Sequence, residues 1–348
     1  MIKNMNFNST FSIAEHPIGG NAPCYFIAEA GVAHFGEWDM ACQLVDLAAD
    51  AGADAFKTQF FDVDAMIAER ASDWKDRLRS RNLTFKQARD LKDRCETRGL
   101  VFLATAHDET RINWLSDLDV PAIKVGSGER NNPAFVRWLA RLHKPIILST
   151  GMYKESDVVE AIEACHDGGC RELALLHCVT SYPTPVDQVN LTAMDHLSAL
   201  FSGPVGYSDH TEDHLAVLSA VARGAKLIEK HITILRDIPN AQDWKVSAGP
   251  EDLSQLIKDI RRVEAMMGNG RKEPAPCERG GQAWALKSMV AVRDLPRGHK
   301  LAETDLIAKR PADGLPPNHV DILIGRSLLR DISKDTPVLE SDVVLDQT

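Results

Sequence analysis

The chain has 348 residues, 44% hydrophobic and 26% charged, which is the composition of a globular protein with room for one large domain and an appendage. A net charge of −10 without a basic run argues against a nucleic-acid or membrane-surface ligand, and no apolar run reaches the roughly eighteen residues of a membrane span. The first twenty residues lack the apolar core of a signal peptide, and seven cysteines without CxxC spacing favour a reduced protein, so we expect a cytoplasmic location.

Short apolar segments rich in branched or aromatic residues alternate with amphipathic helical patterns. In chain order, the predicted strands are 25–30, 54–59, 100–105, 122–127, 145–150, 172–178, 204–208 and 226–231. Three of the helical patterns between them, 38–52, 84–99 and 155–169, end near a glycine, as helices often do. Eight strand–helix units predict an α/β fold, a (β/α)₈ TIM barrel over residues 1–267, and a doubly wound open sheet is the alternative.

Three further segments differ from this pattern. The charged stretch 62–84 is long for a connection and predicts a solvated flap, with a substrate lid as the alternative. Glycine, proline and charged residues make 268–282 a predicted linker. Within 283–348, the segments 294–305 and 331–342 share the pattern D-[LI]-x-[RK]-x-x-x-[LV]-x-x-x-D, which predicts a small, mainly β, pseudo-symmetric domain.

Polar residues stand at or near the carboxyl end of nearly every predicted strand. They are Glu29, Lys57, Gln59, Thr105, Lys124, Ser127, Ser149, Tyr182, Ser208, His210, Glu229 and His231. A single one of them is most simply a surface or salt-bridge residue. In a barrel, however, all these strand ends face one pocket, so their repetition predicts a shared active site.

Two histidines, His210 and His231, follow the last two predicted strands. Two unrelated, hydrogen-bonded histidines are the simplest interpretation. In a barrel, however, they come close enough for two neutral imidazoles, with water and substrate oxygens, to hold an exchangeable Mn²⁺, Mg²⁺, Zn²⁺ or Co²⁺ ion. The segment 210–214, HTEDH, lacks the glutamate that follows the first histidine in zinc proteases.

The strand-end lysines allow a second chemistry. Lys57, Lys124 or Lys230 could form a Schiff base, as in a class I aldolase. The segment KVGSGE (124–129), in contrast, combines a lysine with a Gly-Ser-Gly turn whose N–H groups suit a phosphate or a carboxylate. Small-anion binding is the favoured interpretation, and the aldolase stays open.

Seven motifs in one order carry a resemblance to a known family. They are IAEAGVAHFG, GADAFKTQFF, IKVGSGERNN, KPIILSTGM, LLHCVTSYPTP, GYSDHT and IEKHIT. Together they resemble the sialic acid synthase family of nonulosonate synthases over residues 23–345, and the C-terminal part resembles that family's antifreeze-like (SAF) domain. The resemblance implies a (β/α)₈ enzyme that condenses phosphoenolpyruvate with an N-acetylated amino sugar and releases phosphate.

The resemblance also implies a role for each site residue. His210 and His231 would hold Mn²⁺ or Mg²⁺, with Co²⁺ also suitable. The phosphoenolpyruvate site would consist of Lys57, Thr105, Lys124, Ser127, Ser149 and Ser208. The sugar site would consist of Glu29, Gln59, Tyr182, Asp243 and Arg310, with Glu29 placed for proton transfer. Arg310 would reach the barrel of the partner subunit in a domain-swapped homodimer.

Three departures from the family pattern concern the sugar. Ala33 and Thr180 stand where other members have asparagine, and the segment 234–247, which contains Asp243, differs in sequence and length. The acceptor is therefore open between N-acetylmannosamine and a 6-deoxy diacetamido hexose. A carbohydrate-binding protein without catalysis is the remaining alternative.

Overall fold

The computed structural model describes residues 5–238 and 243–344. The chain divides into two compact units, Met1–Gly268 and Asn269–Thr348. Each unit has its own hydrophobic core. None of the helices within the described residues is long and apolar enough to cross a membrane.

The first unit begins with an antiparallel hairpin, β1 (Thr10–Ile13) and β2 (His16–Gly19). Its buried side chains, including Phe11 and Ile18, pack in one cluster with Tyr25 and other residues from the beginnings of later strands. The sequence did not predict this hairpin, because strands of four residues leave too little alternation to detect. By covering that end of the sheet, the hairpin leaves the opposite end for a pocket.

The next eight strands are parallel and form a closed barrel in which the last strand pairs with the first. Their bounds are β3 (Tyr25–Gly31), β4 (Ala55–Phe60), β5 (Val101–Ala106), β6 (Ile123–Val125), β7 (Ile146–Ser149), β8 (Leu173–Cys178), β9 (Val205–Asp209) and β10 (Leu227–His231). Each lies within two residues of a predicted strand. The predicted (β/α)₈ barrel is therefore confirmed, and the open-sheet alternative is wrong because β10 and β3 close the sheet.

Helices follow the barrel strands and cover their outer faces. Their bounds are α1 (Trp38–Ala51), α2 (Val63–Met66), α3 (Ser72–Arg79), α4 (Phe85–Thr97), α5 (Glu109–Asp117), α6 (Pro133–Ala140), α7 (Glu155–Asp167), α8 (Ala193–Leu200), α9 (Leu215–Ala222) and α10 (Leu253–Met267). In α1 the buried residues Leu44, Val45 and Ala48 recur at helical spacing. Gly52 ends α1 in the left-handed region, with φ of 85°, and its N–H caps the last turn.

The stretch 62–84 is folded. Asp62 begins α2 by accepting hydrogen bonds at its side chain from the N–H groups of Asp64 and Ala65. Helix α3 follows, and Thr84 then forms a capping box with Gln87 at the start of α4. The stretch therefore contains two short helices and is capped at both ends, and the solvated flap stays a prediction. The lid alternative stays a prediction as well.

The second unit is a small domain with one antiparallel strand pair. Its elements are α11 (Arg279–Ala285), β11 (Ser288–Ala291), β12 (Leu306–Lys309) and α12 (Val320–Leu323). Helix α11 begins inside the predicted linker 268–282, where two glycines give a low helix propensity that concealed it. Residues 269–275 have no helix or strand.

The internal repeat of the second unit forms two equivalent structures. Asp305 and Asp342, the last residues of the two repeats, are both buried. An arginine twelve residues earlier pairs with each carboxylate, Arg293 with Asp305 at 2.6 Å and Arg330 with Asp342 at 2.5 Å. Leu295 and Ile332, the second residues of the repeats, exchange reciprocal backbone hydrogen bonds of 2.8 Å. The predicted pseudo-symmetry thus has matching buried contacts.

Candidate active site

A cavity of about 180 Å³ lies at the carboxyl ends of the barrel strands. Eleven of the thirteen residues predicted for the site line it: Glu29, Lys57, Gln59, Thr105, Lys124, Ser127, Ser149, Tyr182, Ser208, His210 and His231. Strand register explains this convergence, because Glu29 of β3 is paired with both Lys57 and His231 on the neighbouring strands. Parallel strands in register place such side chains side by side around the opening.

Glu29 and Lys57 form a buried ion pair at the centre of one wall. Glu29 Oε2 lies 2.8 Å from Lys57 Nζ, and both side chains are almost fully buried. Lys57 Nζ also donates a hydrogen bond of 3.2 Å to Thr105 Oγ1, while Glu29 Oε1 accepts one of 2.9 Å from Gln59 Nε2. These contacts fix the carboxylate and the ammonium group with donors and acceptors facing the cavity.

Lys124, on β6 two strands along from β4, also lines the cavity and has its own partners. Its Nζ donates to Ser149 Oγ at 2.8 Å and to the Val125 carbonyl oxygen at 3.1 Å. The nearest carboxylate oxygen, Glu229 Oε2, is 3.7 Å from Nζ and accepts no hydrogen bond. The other Glu229 oxygen accepts a hydrogen bond of 3.2 Å from Ser208 Oγ. Lys124 therefore keeps donor capacity for an anion in the cavity.

The two lysines have pKa shifts of opposite direction. Burial alone would lower the pKa of Lys57, but the Glu29 and Glu229 carboxylates outweigh it and hold that pKa above its ordinary value. Burial lowers the pKa of Lys124, and the attraction of Glu229 does not compensate. Burial also opposes ionisation of Glu229, but Lys124 and Lys57 together hold its pKa well below the ordinary value.

The loop after β6 completes the wall for an anion. Gly126, Ser127 and Gly128 all line the cavity. Ser127 Oγ accepts a hydrogen bond of 2.9 Å from the Gly151 N–H, which ties this loop to the loop after β7. A Cβ atom at Gly151 would lie 2.3 Å from Thr180 Oγ1, so only glycine permits this approach. Two buried lysines and several hydroxyl groups thus surround a space suited to a small dianion.

The two histidines come from the ends of the neighbouring strands β9 and β10 and lie side by side in the cavity lining. The ring centroids of His210 and His231 are 5.5 Å apart, and the Tyr182 ring lies 4.0 Å from the His210 ring. His210 Nδ1 is 2.7 Å from the Val179 carbonyl oxygen, to which it must donate, so the lone pair of the neutral ring is on Nε2. Burial, followed by the neighbouring His231, lowers the pKa of His210 to about 4.

This donor set fits a divalent metal ion held by two side chains. A carbonyl-bonded, neutral imidazole is the form in which histidine ligates metals. Within residues 5–238 and 243–344, no three His, Cys, Asp or Glu side chains are placed to hold an ion together. Any ion would therefore take its remaining ligands from water or substrate, as the sequence-based interpretation expects.

Two residues of the first unit that the sequence analysis considered, Lys230 and Asp243, are not among those that line this cavity. Lys230 points away from it because it alternates with Glu229 and His231 on β10, and its ammonium group is buried against Asp209 and donates to the Thr211 carbonyl oxygen at 2.7 Å. It is therefore not available for a Schiff base. Asp243 begins a 3₁₀ turn just after residues 239–242, which lie outside the described residues, and it is not among the residues that line the cavity.

Arg310 belongs to the second unit. Its guanidinium carbon lies 5.6 Å from the centroid of the Trp284 ring, and both side chains are in that unit. The sugar-binding roles of Asp243 and Arg310 stay predictions.

The sequence analysis assigned no role to four residues that line the cavity: His107, Cys178, Thr180 and Glu229. The strand-end residues expected in the shared pocket already include Glu229, and strand alternation could also have found His107. Glu229 stands two residues before His231, and His107 two residues after Thr105, so each pair points to the same side. Burial, then the nearby Lys57 and Lys124, lowers the pKa of His107 to about 4.

Comparison with known proteins is consistent with this site. The NeuB family matches residues 44–272, and the SAF domain matches residues 287–344. An N,N'-diacetyllegionaminic acid synthase of Campylobacter jejuni is 34% identical over 90% of this chain and 98% of that protein. The human N-acetylneuraminate-9-phosphate synthase is 30% identical over 93% of each chain.

A solved structure of a sialic acid synthetase is also similar to this chain in sequence and in fold. The crystal structure of N-acetylneuraminic acid (sialic acid) synthetase from Leptospira borgpetersenii, in complex with citrate, has a TM-score of 0.74 and 32% identity, covering 78% of this chain and 94% of that one. Because the family match spans well over half of the chain and full-length relatives agree in sequence and fold, the chain belongs to the NeuB family of sialic acid-type synthases and carries a C-terminal SAF domain.

Proposed function

We propose that this protein condenses phosphoenolpyruvate with the open-chain aldehyde of an N-acetylated amino sugar, giving a nine-carbon nonulosonic acid and phosphate in the cytoplasm. The observation that carries the proposal is the single cavity in which two buried lysines with hydroxyl groups face two imidazoles. The named relatives support this reaction class, since they are synthases of N-acetylneuraminate 9-phosphate and N,N'-diacetyllegionaminic acid.

The lysine side of the cavity would bind phosphoenolpyruvate. Its phosphate and carboxylate together need several cationic and hydroxyl donors, which Lys57, Lys124, Thr105, Ser127, Ser149 and Ser208 offer. Desolvation strengthens these contacts, because most of these side chains are buried. The anion would be held with its C3 directed toward the histidine side.

The sugar side would activate the aldehyde and manage protons. A Mn²⁺ or Mg²⁺ ion held by His210 and His231 would supply Lewis acidity at the aldehyde oxygen, and Co²⁺ suits the same donors. Gln59 and Tyr182 would orient the sugar. Glu29, fixed by Lys57 and Gln59, would transfer the proton of the attacking water or of the new hydroxyl.

The chemistry is an addition followed by loss of phosphate. C3 of phosphoenolpyruvate forms a bond to the aldehyde carbon, and positive charge develops at C2. Water adds at C2, and the tetrahedral intermediate collapses to the α-keto acid while the C2–O bond to phosphate breaks. The carboxylates of Glu29 and Glu229 would stabilise the developing charge, since preorganised groups in a dry pocket act strongly.

A phosphate-release assay tests the proposal. Wild-type protein with phosphoenolpyruvate and a panel of N-acylated amino sugars should release phosphate, and Mn²⁺ should stimulate the release. An ¹⁸O label in the bridging oxygen should appear in the phosphate. His231→Ala should lose both the stimulation and direct Mn²⁺ binding measured by electron paramagnetic resonance, whereas His196→Ala, an exposed histidine outside the cavity, should keep both.

Two outcomes would contradict the proposal. Absence of phosphate release with every sugar would indicate a binding protein without catalysis. Turnover that survives EDTA, with a borohydride-trapped adduct on Lys124, would indicate the Schiff-base aldolase.

We also propose that the active form is a domain-swapped homodimer in which Arg310 contacts the sugar bound in the partner's barrel. An arginine offers fixed donors to acyl and hydroxyl oxygens. The family resemblance is the support for this arrangement.

A further inference from the structure

A second, larger cavity opens beside the catalytic pocket. It has a volume of about 700 Å³, and Gln59, His107 and Gly128 line both cavities. The inner cavity of about 180 Å³ is below the roughly 300–1,000 Å³ typical of pockets for larger ligands. Phosphoenolpyruvate and a hexose together therefore need more room than the inner cavity provides, and the outer cavity adjoins it at these three shared residues.

One side of the outer cavity is apolar. Its lining includes Phe61, Met66, Trp74, Leu78 and Phe135. Trp74 is 52% exposed although it is a large hydrophobic residue. Most of this wall comes from the stretch 62–84, which holds α2 and α3, and from Phe61 just before it. Such a wall is stabilised when methyl groups of a ligand cover it and remove its surface from water.

The other side of the outer cavity accepts hydrogen bonds and carries negative charge. Asp108, Glu109, Thr110 and Glu129 line it, and among the described residues lining this cavity there is no lysine or arginine. The start of α5 does not offer a free anion site either, because Asp108 Oδ1 already accepts the Thr110 N–H at 2.9 Å. This side suits the N–H or O–H donors of a neutral ligand.

Two cations adjacent in sequence to residues of this lining, Arg111 and Lys75, are engaged elsewhere. Arg111 lies 3.3 Å from Asp62 and stacks on the Trp114 ring, and Lys75 lies 2.8 Å from Asp64. A phosphate group entering the cavity would lose its water, meet carboxylates and find no free cation in the lining. That arrangement is unfavourable for a dianion.

From these contacts we infer that the outer cavity is the subsite for the distal end of the sugar and that it selects a neutral, methyl-bearing end over a phosphorylated one. The inference rests on the proposed function and deepens it. A 6-deoxy sugar with a second acetamido group fits this chemistry, because its two methyl groups match the apolar wall and its amide N–H matches the acceptors. A sugar 6-phosphate does not fit.

Three sugar substrates distinguish a preference for a methyl-bearing end from a preference for a phosphorylated end. They are 2,4-diacetamido-2,4,6-trideoxymannose, N-acetylmannosamine and N-acetylmannosamine 6-phosphate. Phosphate release is measured with each at saturating phosphoenolpyruvate and Mn²⁺. We expect kcat/KM for the diacetamido sugar to exceed that for N-acetylmannosamine by about tenfold or more, which is the size of effect that one or two buried methyl groups produce. The 6-phosphate should be the poorest acceptor.

Two substitutions at Trp74 test the wall itself. Because this side chain is half exposed, Trp74→Ala should fold normally; it should raise KM for the diacetamido sugar about tenfold and leave KM for phosphoenolpyruvate unchanged. Trp74→Arg should also improve kcat/KM for the 6-phosphate, because it adds the missing cation. Trp138→Ala, at an exposed tryptophan that does not line the cavity, is the control and should change neither value.

The outcomes divide clearly. If the 6-phosphate is the best acceptor, or if Trp74→Ala leaves the preference between the sugars unchanged, the inference is wrong while the proposed function stands. If none of the three sugars releases phosphate, the proposed function is overturned and this inference with it.

Discussion

At the scale of single residues, position along a strand decides which side chains can take part in chemistry. On β10, Glu229 and His231 line the cavity, and Lys230 between them is fully buried on the other side. The three residues look alike in sequence, since each is a polar residue at a strand end. Their separate environments follow from the two-residue period of a β-strand.

Lys124 gives a pH-dependent prediction at this scale. A protonated lysine attracts the anion, and protonation is complete only below the lysine's pKa. Because burial lowers the pKa of Lys124, its charge is lost at a lower pH than the ordinary 10.5. The dissociation constant of phosphoenolpyruvate, measured by titration calorimetry from pH 7 to 10, should therefore rise as the pH increases, by up to about tenfold per pH unit above that pKa.

Lys124→Arg provides the control. A guanidinium group stays charged across this range, so the alkaline rise should disappear. Lys57 does not produce this rise, because the pKa of Lys57 is held above its ordinary value. An alkaline rise of the same size in Lys124→Arg would show that another group causes it.

At the scale of elements, a buried ion pair joins β9 to β10 directly behind the two histidines. Lys230 and Asp209 have no exposed side-chain surface. Asp209 Oδ1 also accepts hydrogen bonds of 2.9 Å from Tyr207 and from Thr211 Oγ1. Since Asp209 precedes His210 and Lys230 precedes His231, this pair fixes the backbone that carries both imidazoles.

Replacing one member of this pair should be costly. Lys230→Met leaves the Asp209 charge buried without its partner, so we expect the free energy of unfolding to fall by about 3–5 kcal/mol in urea denaturation. Lys258→Met, at an exposed position of α10, should change it by no more than about 0.5 kcal/mol. A loss below about 1 kcal/mol in Lys230→Met would mean that the pair contributes little to holding the two strands.

At the scale of the whole molecule, two units with separate cores must cooperate if Arg310 is to reach a sugar. Residues 269–275 have no helix or strand, and at about 3.3 Å per residue they could span some 20 Å. In a two-fold dimer, each barrel would then receive an arginine from the other chain.

Mixing two inactive variants tests this exchange. Lys124→Ala removes an anion-binding group in the barrel, and Arg310→Ala removes the arginine of the second unit. Heterodimers of the two would contain one intact barrel facing one intact arginine, so the mixture should recover part of the wild-type phosphate release. If labelled subunits demonstrably exchange and activity stays at the level of the separate variants, Arg310 acts within its own chain or not at all.

The sequence by itself determined the barrel, its eight strands and most of the inner cavity. Hydrophobic periodicity is local, and in a (β/α)₈ barrel every strand ends at the same mouth, so a list of strand-end residues was nearly a list of cavity residues. The family resemblance then assigned roles to those residues. Neither step required distances.

Tertiary structure decided the rest. Only register and alternation removed Lys230 from the pocket and added His107, because both depend on which face of a strand points inward. The hairpin below the barrel, with its four-residue strands, was too short to leave a pattern. The outer cavity was invisible in sequence for a similar reason: Trp74 on α3 and Phe135 on α6 are sixty-one positions apart, and only the folded chain brings them to one wall.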